Sequence, residues 1–224
     1  MSRLRHAGTA DQVRLVHHSA GRNLAHLSEP VPLRLLADYG SLTRWLNSEL
    51  TEGVLTALEA QVIAGSGTGE NMTGVLTVAG STTVAFATDV VTTLRKGLTA
   101  LQNLGVQPNA WVLNPADAEA VDLTKEGTGG IGFLTDGYTT GNALSGNIFG
   151  DPNIQRVVSP SVPAGTAILG DWSKIGLWVR EGVRVDIGFP DDTFKKNQAV
   201  LRGEMRVGAG VLMPPSFAVI DLTA

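Results

Sequence analysis

The sequence predicts an α+β protein organised around one long helix. Three stretches carry that expectation. Asp38 to Ala64 reads as a single amphipathic helix, stopped by Gly65-Ser66-Gly67-Thr68-Gly69. Thr88 to Lys125 reads as helix, short buried strand, helix. After Gly150 the apolar runs are short, separated by Pro, Gly or Asp, and read as strands.

In the long helix, apolar residues fall at Leu42, Trp45, Leu46, Leu50, Val54, Leu55, Leu58 and Val62. That is the spacing of one buried stripe. Ser41 or Asp38 is placed to cap its start and Gly65 to supply a left-handed stop. At 1.5 Å per residue it would run roughly 35 Å, well beyond an average globular helix. A helix of that length needs neighbours throughout and points to an elongated protein with a spine.

The global numbers narrow the function classes. The chain has 224 residues, 17 basic and 21 acidic side chains, a net charge of -4 and no cysteine. The charge argues against a dedicated nucleic-acid binder with a basic face. Disulfide staples and thiolate metal sites are excluded. No apolar run reaches the length of a membrane span, so no membrane partner is expected. The first residues, MSRLRHAGTADQ, lack the apolar core of a signal peptide, and the chain is expected to be soluble inside the cell when made. Low charge, 17%, beside 43% hydrophobic content fits a surface largely covered by partners. An ordinary glycine-rich α/β protein would give the same numbers.

Residues 1–29 are weakly patterned and hold all four histidines, His6, His17, His18 and His26. No acidic or cysteine partner stands at ligand spacing, so a mobile or partner-draped arm is the better reading than a metal site. Leu27 to Leu33, with two prolines, reads as an extended strand. The loop Gly65 to Gly74 lacks the Gly-Lys-Ser/Thr ending of a phosphate cradle and follows a helix instead of a strand, so it reads as a tight connector. Val75 to Phe86 alternates loosely, like a strand. Val90, Val91, Leu94, Leu98, Leu101 and Leu104 then form one helical face, ended by Gly105. Ala110 to Leu113 is a buried strand, Asn114-Pro115 an N-cap with proline at the first helical position, and Ala116 to Lys125 a short helix. Gly127 to Gly150 carries many glycines and reads as a long functional or partner-contacting loop. Strands are expected at Ile154–Val158, Ala167–Gly170, Ile175–Val179, Val183–Ile187, Ala199–Leu212 and Phe217–Leu222.

No catalytic constellation is legible. There is no Gly-x-Ser-x-Gly elbow, no HExxH and no helical carboxylate pair. Asp191-Asp192 lies in a proline-containing turn and reads as solvated turn chemistry. The expectation is no catalytic, cofactor-binding or metal site, and no enzyme.

Five motifs in order carry a family resemblance: VPLRLLADYGSLTRWLNSEL, GSGTGENMTGVL, WVLNPAD, IFGDPNIQRVVSPSVPAGTAILGDW and FKKNQAVLRGEMRVGAGVLMPPSFAVI. Together, over about residues 25 to 222, they resemble the major capsid proteins of tailed bacteriophages, the Hong Kong 97-type fold shared with encapsulin shells. Each motif alone is weak; their order makes the set specific. Only about 25 residues precede LAHLSEPVPL, where family members usually carry an arm and a long extended loop. The loop is therefore expected to be missing or reduced, in a naturally short member, a trimmed chain or one with a different start.

The resemblance implies an L-shaped subunit. Residues 1–26 would be an arm or loop remnant. Residues 27–81, with the spine helix at 39–64, and 172–224 would form a peripheral domain, and 82–171 an axial domain. Trp45 and Leu46 would bury the spine against the long peripheral strands, and the loop from Gly127 to Gly150 would lie at a five-fold or six-fold axis. The implied role is a structural virion protein that assembles with itself, as pentamers and hexamers, into an icosahedral shell around double-stranded DNA, in the host cytoplasm. Portal, scaffold or decoration proteins would be further partners. An encapsulin-like compartment and a small-molecule-binding α/β protein are the alternatives. Some relatives weld subunits through an isopeptide bond between a loop lysine and an asparagine, with a glutamate as proton acceptor. Asn197 and Glu204 match those positions. No lysine occurs before Lys96, so Asn197 is read instead as ending a turn and Glu204 as a strand ion pair with Arg202 or Arg206.

Overall fold

The computed structural model describes residues 22–28, 30–38, 40–124 and 153–223. They form two sheets joined by one long helix. The first sheet is antiparallel. Strand β8 (Gln198–Val211) runs through it, β7 (Ile175–Gly188) pairs along one edge, and β1 (Arg22–Leu27) and β2 (Val31–Pro32) pair with successive stretches of β8. The expected strand from Leu27 to Leu33 is thus two short ones around Pro30, and Leu33 already begins helix α1 (Leu33–Asp38). Proline lacks an N–H and cannot donate to a ladder.

Helix α2 (Gly40–Ala64) is the spine, 25 residues and about 37 Å long. Leu46 and Leu50 pack with Leu201. Val54 and Leu58 pack with Met72, Met205 and Val207. Ile63 reaches a third cluster with Val75, Val112, Ile168 and Phe217. One helix thus serves both sheets. Gly203 of β8 explains how closely it docks: a Cβ there would lie 3.1 Å from the Leu50 carbonyl oxygen and 3.2 Å from Val54 Cγ2.

Two expectations for this helix are corrected. Trp45 is 58% exposed while Leu46 is buried. The sheet covers one side of the helix, the row Leu46, Leu50, Val54, Leu58, and Trp45 stands about 100° round from Leu46. Gly65 is not a left-handed stop; positive φ falls later, at Gly67 and Gly69. Gly65 is needed for space, since a Cβ would sit 2.4 Å from the carbonyl oxygens of Gln61 and Met72. The chain folds back under the helix end, where Val75 N–H donates to Val62 O and Leu76 N–H to Ile63 O. The connector thereby satisfies carbonyls that a helix C-terminus leaves open. Because residues 75–79 turn in this way, the strand expected over Val75 to Phe86 shrinks to β3 (Thr82–Val84).

The second sheet has the order β3, β9 (Phe217–Asp221), β6 (Thr166–Gly170), β4 (Ala110–Leu113), β5 (Gln155–Val158). The outer pairs β3–β9 and β4–β5 are parallel and the inner ones antiparallel. Helices α3 (Val90–Asn103) and α4 (Pro115–Asp122) join this sheet in a core of Leu94, Leu101, Trp111, Leu113, Val121 and Ile220. Burying each such side chain is worth about 1.5–3 kcal/mol. Asp89 caps α3 through Thr92 N–H, and Asn114 caps α4 through Ala116 N–H with Pro115 in its first turn. Gly105, at φ 73°, follows the end of α3 as expected. β9 lies inside this second sheet, although the sequence reading grouped 172–224 with the peripheral strands. The loop from Gly127 to Gly150 lies outside the described residues. Among the described residues no helix is long and apolar enough to cross a membrane.

Candidate assembly surfaces

The residues singled out for chemistry are held in ways that leave them structural work. Asp191, at φ 50°, opens a short 3-10 turn, and Asp192 pairs with Lys195 at 2.8 Å on the exposed side. His6, His17 and His18 lie outside the described residues. Among the described residues no group of His, Cys, Asp and Glu is placed to hold a metal ion.

Asn197 has φ 54° directly before β8. Asparagine tolerates this left-handed conformation better than most residues, which fits the turn-ending role. Glu204 sits within β8, pairs with Arg202 at 2.9 Å and accepts from Arg184 at 3.5 Å. Arg202 was an expected partner; Arg184 was not, because the register of β7 on β8 brings it opposite Glu204. Arg184 further pairs with Glu181 at 2.7 Å and Asp186 at 3.3 Å. Glu181 first, then Asp186, hold its guanidinium above the usual range. Asn197 and Glu204 stand seven positions apart along one extended stretch, about 23 Å. Within one subunit they cannot act on a common atom.

The expected strands 175–179 and 183–187 are one strand, β7, with register shifts between Val179 and Glu181 and between Glu181 and Arg184. Such bulges bend a strand and add twist. Leu177, Trp178 and Val179 stay exposed before the bend, and Ile187, Phe189 and Phe194 beyond it. Phe189 and Phe194 meet edge to face at 6.1 Å, yet Phe194 is 76% exposed.

A second apolar surface lies between α2 and the second sheet. It is a groove of about 710 Å³ lined by Leu58, Val62, Ile63, Val112, Val157 and Trp172 among others. Ser159 Oγ donates to the Glu59 carboxylate across its floor, and Trp172 Nε1 donates to Ala110 O. Exposed Leu55 and Val157 stand at its rim. Sequence periodicity missed the groove because it placed Leu55 on the buried stripe and could not bring β5 to the helix.

The Phage capsid family model matches residues 17–222. The chain belongs to the phage capsid family. It is a structural capsid protein, as the motif resemblance implied, and family membership places it in the virion. Solved structures agree on the fold. The capsid of an empty GTA particle is 21% identical, with a TM-score of 0.69, over 97% of this chain and 81% of that one. A chain in the solved structure of Gordonia phage Cozz is 19% identical with a TM-score of 0.64, over 91% and 71%. The virus-like particle from Pyrococcus furiosus is 13% identical with a TM-score of 0.60, over 89% and 75%. No curated protein shows significant sequence similarity to the chain. The fold is the Hong Kong 97-type expected from the sequence, and the assembled shells among these likenesses support self-association.

Proposed function

We propose that many copies of this chain close into an icosahedral shell of pentamers and hexamers around double-stranded DNA. The observation that carries this reading is the family match over residues 17–222. Closed shells need many modest contacts satisfied together, and the exposed apolar residues of α2, β7 and its tip supply such surface. The net charge of -4 suits a lining that touches DNA without gripping it or reading its sequence. In this reading the first sheet with α2 is the peripheral domain, and the second sheet with α3 and α4 is the axial domain, with β9 joining the axial sheet. The chain carries out no catalysis. Assembly takes place in the host cytoplasm, with portal, scaffold or decoration proteins as further partners.

The loop from Gly127 to Gly150 is assigned to a five-fold or six-fold axis. Replacing Gly137 to Gly141 with a bulky charged segment is expected to block capsomers, seen by negative-stain microscopy, while the subunit's melting temperature stays put. Normal shells from that variant would remove the assignment. Asn197 and Glu204 are assigned structural roles, so boiled particles are expected to run as one band at monomer mass; a covalent ladder lost on Asn197→Ala would contradict that.

The likeness to the Pyrococcus furiosus particle favours a second reading, a compartment with protein cargo. Nuclease treatment of purified particles separates the two. Protected double-stranded DNA supports the capsid reading, and particles filled with protein instead support the compartment.

A further inference from the structure

A strand at the edge of a sheet leaves a row of N–H and C=O groups unpaired, and folded chains blunt such rows with short strands, proline, charge and bulges. Several edges here carry those devices. β2 is two residues long and ends in Pro32, and β3 is three residues long. β7 beyond Val179 is broken by two register shifts and carries Arg180, Glu181, Arg184 and Asp186. Two edge segments lack them. The first is Ile175–Val179, the stretch of β7 before its first register shift, which holds no charge and exposes Leu177, Trp178 and Val179. The second is β5, at the end of the second sheet, which exposes Val157 and Val158. Its one charge, Arg156, is turned to Asp122 of α4. Among the described residues no strand pairs with the outer edge of either segment.

The existing ladders fix which backbone groups are open, because successive residues of a strand point their N–H and C=O to opposite edges. Gln155 N–H donates to Asn109 O and Ser159 N–H to Leu113 O, both at 2.9 Å. The groups of Gln155, Val157 and Ser159 therefore face β4, and those of Arg156 and Val158 face outward. Leu212 N–H donates to Lys174 O at 2.8 Å, and the antiparallel register continues from Ile175 opposite Val211. The groups of Gly176 and Trp178 therefore face β8, and those of Leu177 and Val179 face outward. Each open edge thus presents two residues, spaced by two, on a short apolar strand. β5 has four residues and the flat part of β7 spans Ile175–Val179, so the two match in length. Both belong to one chain, and a neighbouring copy supplies each with the partner it lacks.

We propose that β5 of one copy pairs antiparallel with Ile175–Val179 of β7 in a second copy, Arg156 opposite Val179 and Val158 opposite Leu177. The pairing rests on the shell reading, which supplies the second copy. In this register the open groups exchange about four backbone hydrogen bonds. Val157 then lies opposite Trp178, a pairing of β-branched and aromatic side chains that favours adjacent strands. The contact joins the second sheet of one copy to the first sheet of the next. It is head-to-tail, so it repeats around a ring and closes where the rotation allows. The charges and register shifts after Val179 end the ladder where β5 ends.

The chain has no cysteine, so a disulfide reports only the pair placed. Val157 and Trp178 would form a non-hydrogen-bonded pair with Cα atoms about 4.5 Å apart, within disulfide reach. Full-length Val157→Cys and Trp178→Cys chains are co-expressed, oxidised gently, digested and mapped by mass spectrometry. Val157→Cys with Ile187→Cys, beyond the register shifts, is the control pair. The expected result is a 157–178 linked peptide joining the two chains and none from the control pair. Adding Val158→Pro should abolish the link while the subunit's melting temperature holds, because that N–H has no partner within the subunit and an edge strand accepts proline. No 157–178 link, equal linkage in the control pair, or a link that survives Val158→Pro would overturn the pairing. Negative-stain microscopy of each sample reads shell formation separately. Shells without the link sink the pairing and leave the shell reading standing. Linked oligomers that never close uphold the pairing and sink the shell reading, and unlinked monomers alone sink both.

Discussion

Trp45 and Leu46 are neighbours in the chain with opposite fates. Leu46 is 8% exposed against Leu50 and Leu201, whereas Trp45 is 58% exposed. Leu46→Ala should therefore destabilise the isolated subunit by about 2–5 kcal/mol. Trp45→Ala should cost well under about 1 kcal/mol in the same urea titration, because it removes no buried contact. Equal losses would show that the spine is seated the other way round. Backbone strain gives a second test at this scale. Asn197, at φ 54°, should accept glycine with no loss. Asn197→Val should lower stability by about 1–3 kcal/mol, visible as a drop in Tm. Sequence spacing found the helix but could not choose between Trp45 and Leu46, since both fit an apolar stripe. That choice is made by Gly203, whose bare backbone lets β8 press against Leu50 and Val54. Asn197 was legible as a turn residue from the Lys-Lys-Asn run before the strand. Its left-handed backbone was not.

Between elements, the second sheet is tied to α4 by one well-formed pair. Arg156 of β5 donates from both terminal nitrogens to Asp122, at 2.6 and 2.7 Å, and also to Ala118 O at 3.1 Å. The hydrogen bonds from Arg156 hold the Asp122 carboxyl below its usual pKa. A carboxylate depressed in the folded state stabilises it fully above the unfolded pKa, near 3.9, and less as the pH falls through the folded value. Asp122→Asn should thus be less stable than the parent at pH 7, and the gap should narrow in denaturant melts at pH 3. A gap unchanged between the two pH values would show that the pair contributes nothing through charge. The elements themselves were largely legible. Asn114-Pro115 marked the start of α4 because a cap and a proline-tolerant first turn are local chemistry. Gly105 marked the end of α3 for the same reason. The pairing of β9 with β3 and β6, and the fusion of two short runs into β7, are long-range facts. Glycine and charged residues near Val179 to Arg184 read as a break locally, whereas the ladder to β8 absorbs them as bulges.

At the scale of the molecule, the apolar residues left exposed on α2, on β7 and around Phe189 and Phe194 suit a subunit whose surface is completed by its neighbours. The motif order announced the family before any contact was visible, because capsid motifs fall at turns and caps that are written locally. The groove beside Leu58 and Trp172 needed the fold, since its walls come from a helix and a strand almost a hundred residues apart. Every reading above turns on whether this chain builds a shell. Sedimentation velocity of the purified 224-residue protein, checked by negative-stain microscopy of the same sample, tests it most directly. A shell-building chain should give a boundary of large closed particles or of pentameric and hexameric capsomers that convert to them. A single slow boundary at the monomer mass, at every protein and salt concentration tried, would contradict it.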